Sequence, residues 1–268
     1  MYAGVSDQTR PLKPLFSTRC VRSRGMLITK GFKVSRQQGL TLIELMIALT
    51  LGLFVVLVVG QVFLSSKTAW RNQLAQADLQ EKGRFATRWI NQQLAQAGYV
   101  DISRIAAAGN FPASGSYVNT AVISAASGTS TLSMRYWGNT EVVDCTGAAV
   151  ASGTLRSQQI SLASGTLSCD NTAVLAGVQQ LVMTYGEDTD AAADGLANSY
   201  RAAGNVGNWA RIRAIRICML IQSDLNSVQT TRQILNDCNG NSYSVPNNRL
   251  ARVFRSTVYL RNAPGGPA

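Results

Sequence analysis

The 268-residue chain contains no histidine. That removes the commonest general base, proton shuttle and metal-ligating imidazole together, and Ser-His-Asp and Cys-His catalysis with them. Proline is scarce, and none occurs between Leu40 and Phe111, so nothing in that stretch forbids one uninterrupted helix. Acidic residues are few as well: 14 Asp and Glu face 25 Lys and Arg, a net charge of +11. Such an excess first suggests nucleic acid or a membrane surface. Yet residues 1–39 hold eight basic residues against Asp7, and the rest of the chain holds 17 against 13. The excess therefore lies on one side of a long apolar run, where the positive-inside bias would put it. Of five cysteines, Cys20 precedes the run and four follow it, an even number that suits an oxidising compartment.

What the chain does have is the junction Arg36-Gln37-Gln38-Gly39-Leu40-Thr41-Leu42-Ile43-Glu44, followed by apolar residues to Leu64. Residues 40–64 carry a single charge, Glu44; as a helix they reach about 38 Å, enough for a hydrocarbon core of roughly 30 Å. In an ordinary secretory signal the small residue follows the apolar core. Here Gly39 precedes it. A cut after Gly39 would discard a basic leader, residues 1–39, and leave Leu40 with a free α-amino group. Met26 offers an alternative start with a shorter leader, in which case Cys20 is never made. Glu44 would then sit in the first helical turn, where the macrodipole favours a carboxylate. A charge in the bilayer costs about 2.5 to 3.5 kcal/mol on insertion scales, so a partner is expected, and another subunit's α-amino group is the natural one. The plainer reading is a carboxylate that snorkels to the membrane edge.

The helix is expected to continue past the bilayer. Residues 65–98 are rich in Gln, Ala, Leu, Lys and Arg, and Trp70, Leu74, Ala77, Phe85, Trp89, Ile90 and Leu94 form an apolar stripe. Gly83 reads as a weak interior point and Gly98 as the C′ residue. From residue 99 to 268 the composition turns to Gly, Ser, Thr, Asn and Ala. Short β-prone runs appear at 121–123, 131–137, 174–185, 212–222 and 252–260, separated by turn signals such as Ser164-Gly165 and Asn239-Gly240-Asn241. The pattern predicts an α+β fold: a long N-terminal helix whose second half packs on one C-terminal antiparallel sheet.

The string Gly39-Leu40-Thr41-Leu42-Ile43-Glu44-Leu45-Met46-Ile47-Ala48-Leu49 resembles the class III signal of type IV prepilins, with glutamate at the fifth mature position. Gln80-Glu81-Lys82-Gly83-Arg84-Phe85, Gln93-Leu94-Ala95-Gln96-Ala97-Gly98-Tyr99 and residues 252–262 are similar to PilW-like minor pilins. The resemblance implies the type IV pilin fold, cleavage after Gly39 by prepilin peptidase, N-methylation of Leu40 and a place in a type IV pilus or its priming complex. The implied partners are other minor and major pilins, the inner-membrane assembly machinery and the lipid bilayer. It places the N-terminus in the cytoplasm and residues 99–268 in the periplasm or on the filament. The sequence departs from the family in having leucine where phenylalanine usually stands at the first mature position. It also lacks the early helix proline that major pilins often carry.

Four exported cysteines allow three pairings. The local ones, Cys145 with Cys169 and Cys218 with Cys238, are favoured, because each closes a loop worth on the order of 3 kcal/mol in the chain-entropy model. Asp188, Asp190 and Asp194 resemble a worn calcium loop. Ala192 stands where a further ligand is wanted, however, and no bidentate glutamate follows, so a solvated acidic turn is preferred and no cofactor is expected. Arg211, Arg213 and Arg216 near Trp209 suggest nucleic acid, but Arg216 has the opposite strand parity. Solvated positions, or pairs with the acidic loop, are preferred, and DNA is not an expected partner. The chain is therefore read as a non-catalytic minor pilin. The alternatives are a type II secretion pseudopilin, a filament-displayed adhesin or DNA receptor, and a membrane-anchored enzyme built on the three aspartates.

Overall fold

A computed structural model describes residues 39–101, 111–192, 194–224 and 231–264. The leader, with Met26 and Cys20, lies outside them. The chain divides into two units, residues 1–54 and 55–268. One helix, α1 (Leu42–Ala95), contributes its first turns to the first unit and the remainder to the second.

In the first unit α1 opens on a side-chain cap. The Thr41 hydroxyl accepts the Glu44 N–H at 3.3 Å, and the Thr41 carbonyl accepts the Leu45 N–H at 3.2 Å. Thr41-x-x-Glu44 is thus the spacing of a capping box, which satisfies a donor that the helix start would otherwise orphan. Every residue from Gly39 to Phe54 is exposed. The helix is long and apolar enough to cross a membrane.

In the second unit α1 buries Ala75, Leu79, Gly83, Ala86, Ile90, Gln93 and Leu94, at spacings of three and four. This differs from the expected stripe: Trp70, Leu74, Ala77 and Phe85 are exposed, Trp89 is half-buried, and only Ile90 and Leu94 are shared. The contact face mixes large residues, Leu79, Ile90, Gln93 and Leu94, with small ones, Ala75, Gly83 and Ala86, and at Gly83 the sheet comes too close for any side chain. A β-carbon added at Gly83 would lie 2.1 Å from the Phe254 ring. The helix ends at Gly98, φ +78°, where a β-carbon would lie 2.4 Å from the Asn262 carbonyl oxygen. Gly98 N–H donates to the Arg135 carbonyl, and the Asn262 amide to that of Ala95, so the last turn is tied to the sheet at both points.

Two antiparallel sheets follow where one was expected. The first runs in the order β1 (Ile123–Ser124), β2 (Thr131–Trp137), β3 (Leu155–Ala163), β4 (Thr166–Cys169) and β5 (Thr172–Ala176). Its two tight hairpins turn on Ser164-Gly165 and Asp170-Asn171, all four with positive φ, as two-residue loops of this hand require. The second sheet uses β6 (Val178–Glu187), β7 (Ser199–Arg201), β8 (Ile212–Gln222) and β11 (Ala251–Tyr259), in the order β11-β8-β6-β7. A small hairpin joins β9 (Ile234–Asn236) to β10 (Ser242–Ser244). The continuous run expected at 174–185 breaks at Gly177, whose φ of +87° no strand residue adopts. Strand β8 is central and buried on both faces except at Arg216.

Candidate assembly site

Gly39, Leu40 and Glu44 are all exposed at the start of α1. Nothing lies within 4 Å of where a Gly39 β-carbon would be, so the fold makes no steric demand for glycine there. Any such demand comes from outside the chain. The Glu44 backbone is capped by Thr41, but its carboxylate has no partner among the described residues. Part of the first turn is thus supplied with its own hydrogen bonds, and the charge is left over.

The structure joins Cys145 to Cys169 and Cys218 to Cys238. The first bond ties the loop before β3 to β4, beside a buried polar node that sequence reasoning missed. Gln158 on β3 donates to the Gln93 side chain of α1 at 2.9 Å, and its own oxygen accepts from the Tyr136 hydroxyl and the Cys145 N–H. One amide thus sets the height of the helix on the first sheet and holds the disulfide loop against it. Burial pushes the Tyr136 phenol up to about 12. The second disulfide fastens the β9–β10 hairpin over the second sheet.

Arg135 is a further buried group that sequence reasoning missed. Its guanidinium donates to the carbonyls of Phe111, Pro112, Val118 and Ala121, between the rings of Phe111 and Tyr117 at 5.4 and 4.6 Å. Desolvation lowers its pKa and raises that of Tyr117. The signal in the sequence was a lone charge inside an otherwise burying strand, and Arg135 uses it to hold the 111–121 loop.

Asp188, Asp190 and Asp194 do converge: one carboxylate oxygen from each lies within 4.8 Å of the others. Asp188 is fully buried and accepts the N–H groups of Gly195 and Asp190, with Arg213 Nε 4.0 Å away. Asp190 takes the Asn198 amide and Asp194 the Leu196 N–H. Arg211 reaches the Asp190 carbonyl. The cluster's work in this structure is to fasten the loop onto β8. Among the three arginines, Arg211 and Arg213 pair with the acidic loop, one of the two outcomes expected of them, and Arg213 is buried there because β8 is covered on both faces. Desolvation lowers its pKa. Arg216 lies 3.5 Å over the Tyr200 ring, so the three make no common stripe.

The model of a family described as Type IV Pilus-assembly protein W matches residues 125–262, just over half the chain. The chain belongs to this family. A second model, the prokaryotic N-terminal methylation motif, matches residues 34–60, the junction and the start of α1. Neither reaches residues 61–124, so two of the three stretches noted above for their similarity to the family, on α1 and at its end, lie outside both. No curated protein matches. Among solved structures, a type IV-like pilin from Thermus thermophilus is similar at 14% identity and a TM-score of 0.47, over 69% of this chain and 96% of that one. The chain is thus a type IV pilin of the pilus-assembly W family, with a prepilin-type signal, one long apolar helix and two disulfides.

Proposed function

We propose that this pilin is a minor subunit that prepilin peptidase cuts between Gly39 and Leu40, and that it acts in assembling or initiating a type IV pilus by contact, without catalysis. The observation that carries the reading is the Glu44 carboxylate, which stands in the first turn of an exposed apolar helix with no partner among the described residues. Such a charge is costly in hydrocarbon and calls for a cation from another molecule. The amino group that cleavage creates on a neighbouring subunit has the right sign and depth. The match to the methylation motif supports the same cut and modification of Leu40. In this reading residues 1–39 face the cytoplasm, residues 40–64 lie in the inner membrane among sister helices, and residues 99–268 stand in the periplasm and on the filament. The loop fastened by Asp188, Asp190 and Asp194 serves as structure, not as a cofactor site.

The N-terminal mass of the protein purified from membranes tests the processing step: it should begin at Leu40, and an uncut leader or another cut site refutes it. Glu44→Ala should leave processing intact and stop incorporation into filaments. Unchanged incorporation would reduce Glu44 to a snorkelling charge. Deleting the gene should abolish surface pili; loss of secreted enzymes with pili intact would move the protein to a type II secretion system.

A further inference from the structure

Strand β11 is the edge of the second sheet. Its even-numbered residues turn their backbone toward β8, as the bonds Ser223 N–H to Leu250 and Leu260 N–H to Arg213 show at its two ends. The odd-numbered residues therefore turn theirs outward. At Ala251 that outward pair is already met: the Gln233 side-chain amide donates to its carbonyl and accepts its N–H, at 3.0 and 2.9 Å. A single side chain thus stands in for one residue of a neighbouring strand. Beyond it, the outward N–H and C=O groups of Val253, Arg255, Thr257 and Tyr259 have no partner among the described residues.

A long open edge is a liability that proteins usually blunt. Here it lies between two arginine-lined hollows. One, of about 560 Å³, runs between α1 and β11 and is lined by Arg84, Arg88, Arg252 and Phe254. The other, of about 450 Å³, lies on the opposite face of β11 with Arg216 and Arg255. Arg84 is paired with Glu81, while Arg88, Arg252 and Arg255 have no carboxylate among the described residues. Among the described residues, the strands hold one acidic residue, Glu187, which is buried and bound by the Gly207 and Asn208 N–H groups. A second copy therefore has no strand of the required charge to offer.

We infer that the β11 edge is a docking site for an extended, acidic segment of a neighbouring protein, which adds to the second sheet as a fifth strand. The ladder from Val253 to Tyr259 supplies the pairing, and Arg88 and Arg252, which line the same face of the sheet, select carboxylates on alternate residues. The inference rests on the assembly reading for its biological setting and on β11 alone for its chemistry.

The test uses the full chain in non-ionic detergent, with a labelled octapeptide alternating glutamate and valine as probe and the same peptide with lysine for glutamate as control. The acidic peptide should slow amide hydrogen exchange in residues 251–260, and the lysine peptide should not. Thr257→Pro, which removes an outward donor without touching the β8 ladder, should abolish protection. Arg88→Glu with Arg252→Glu should weaken binding by about tenfold or more with the sheet intact, and it keeps the test decisive if the proline variant fails to fold. Equal binding of both peptides, protection elsewhere, or protection that appears with protein concentration alone and so marks a second copy, would each overturn the inference. Binding by a chain that proves dispensable for pili would sink the assembly reading and leave this one standing. A chain required for pili whose edge stays unprotected would do the reverse.

Discussion

Replacing Gly83 with alanine should destabilise this protein although it improves the helix. Alanine is better than glycine by about 1 kcal/mol in a helix interior. Against that gain, the new β-carbon would sit 2.1 Å from Cε1 and Cζ of Phe254 and 2.5 Å from Cδ1. Carbon atoms pack at about 3.5 to 4 Å, so the ring must retreat by about 1.5 Å from a position where it packs against the core. Overpacking of that kind costs about 1 to 3 kcal/mol, and the two effects together leave a net loss of about 1 kcal/mol. Removing the ring should reverse the sign. In a Phe254→Ala background, Gly83→Ala should stabilise by the full propensity difference, so the two substitutions couple by about 2 kcal/mol. Urea unfolding of the full chain in detergent, followed by tryptophan fluorescence across the four proteins of the cycle, measures this. If Gly83→Ala stabilises equally with and without the Phe254 ring, the close approach of β11 to α1 is not what holds glycine at this position.

The polar node and the buried phenols yield two further outcomes. Gln93→Leu orphans one group on Gln158, for about 1 to 3 kcal/mol. Gln158→Leu orphans the Gln93 oxygen, the Tyr136 hydroxyl and the Cys145 N–H, and should cost more in the same unfolding assay; equal costs would mean that the node is no node. Raising the pH above 10 should destabilise the fold. Burial holds the Tyr136 proton to about 12 and also raises Tyr117 and Tyr185, whereas the unfolded chain releases these protons near 10. Their stabilisation is fully present below about pH 10, and for Tyr136 it falls by up to about 1.4 kcal/mol per pH unit until about 12. An unfolding midpoint that stays flat from pH 9 to 11.5 would refute the buried positions of these phenols.

Long-range periodicity made the helix legible, since a proline-free run of good helix formers has few other fates. Strands 131–137 and 212–222 were legible for a similar reason: their β-branched and aromatic residues sit together. β3 was not, because Leu155–Ala163 is mostly Arg, Ser and Gln, and its buried Gln158 donates its hydrogen bond to a helix residue more than sixty positions away. The face of α1 was misjudged because Trp70, Leu74 and Phe85 were taken as contacts, whereas the buried face runs through Ala75, Leu79, Gly83 and Ala86 to Ile90 and Leu94. At the junction, order and composition alone carry the reading of Gly39, Leu40 and Glu44, and the structure adds their exposure. That Gly39 is free of steric demand needed the structure, whereas the Thr41 cap on the Glu44 backbone was there to be read in the Thr41-x-x-Glu44 spacing and was missed.

Around Gly83 the buried face of α1 inverts the usual relation between size and importance. Trp70, Leu74 and Phe85 present the bulk of the helix to the outside, while Ala75, Gly83 and Ala86 carry the fit to the sheet. Between Gly83 and its exposed neighbour Phe85, tolerance of change therefore runs opposite to side-chain volume. Gly83, which looks expendable in the sequence, is where a single added methyl group has nowhere to go, while the exposed Trp70 and Phe85 are free to answer to whatever lies beyond the subunit.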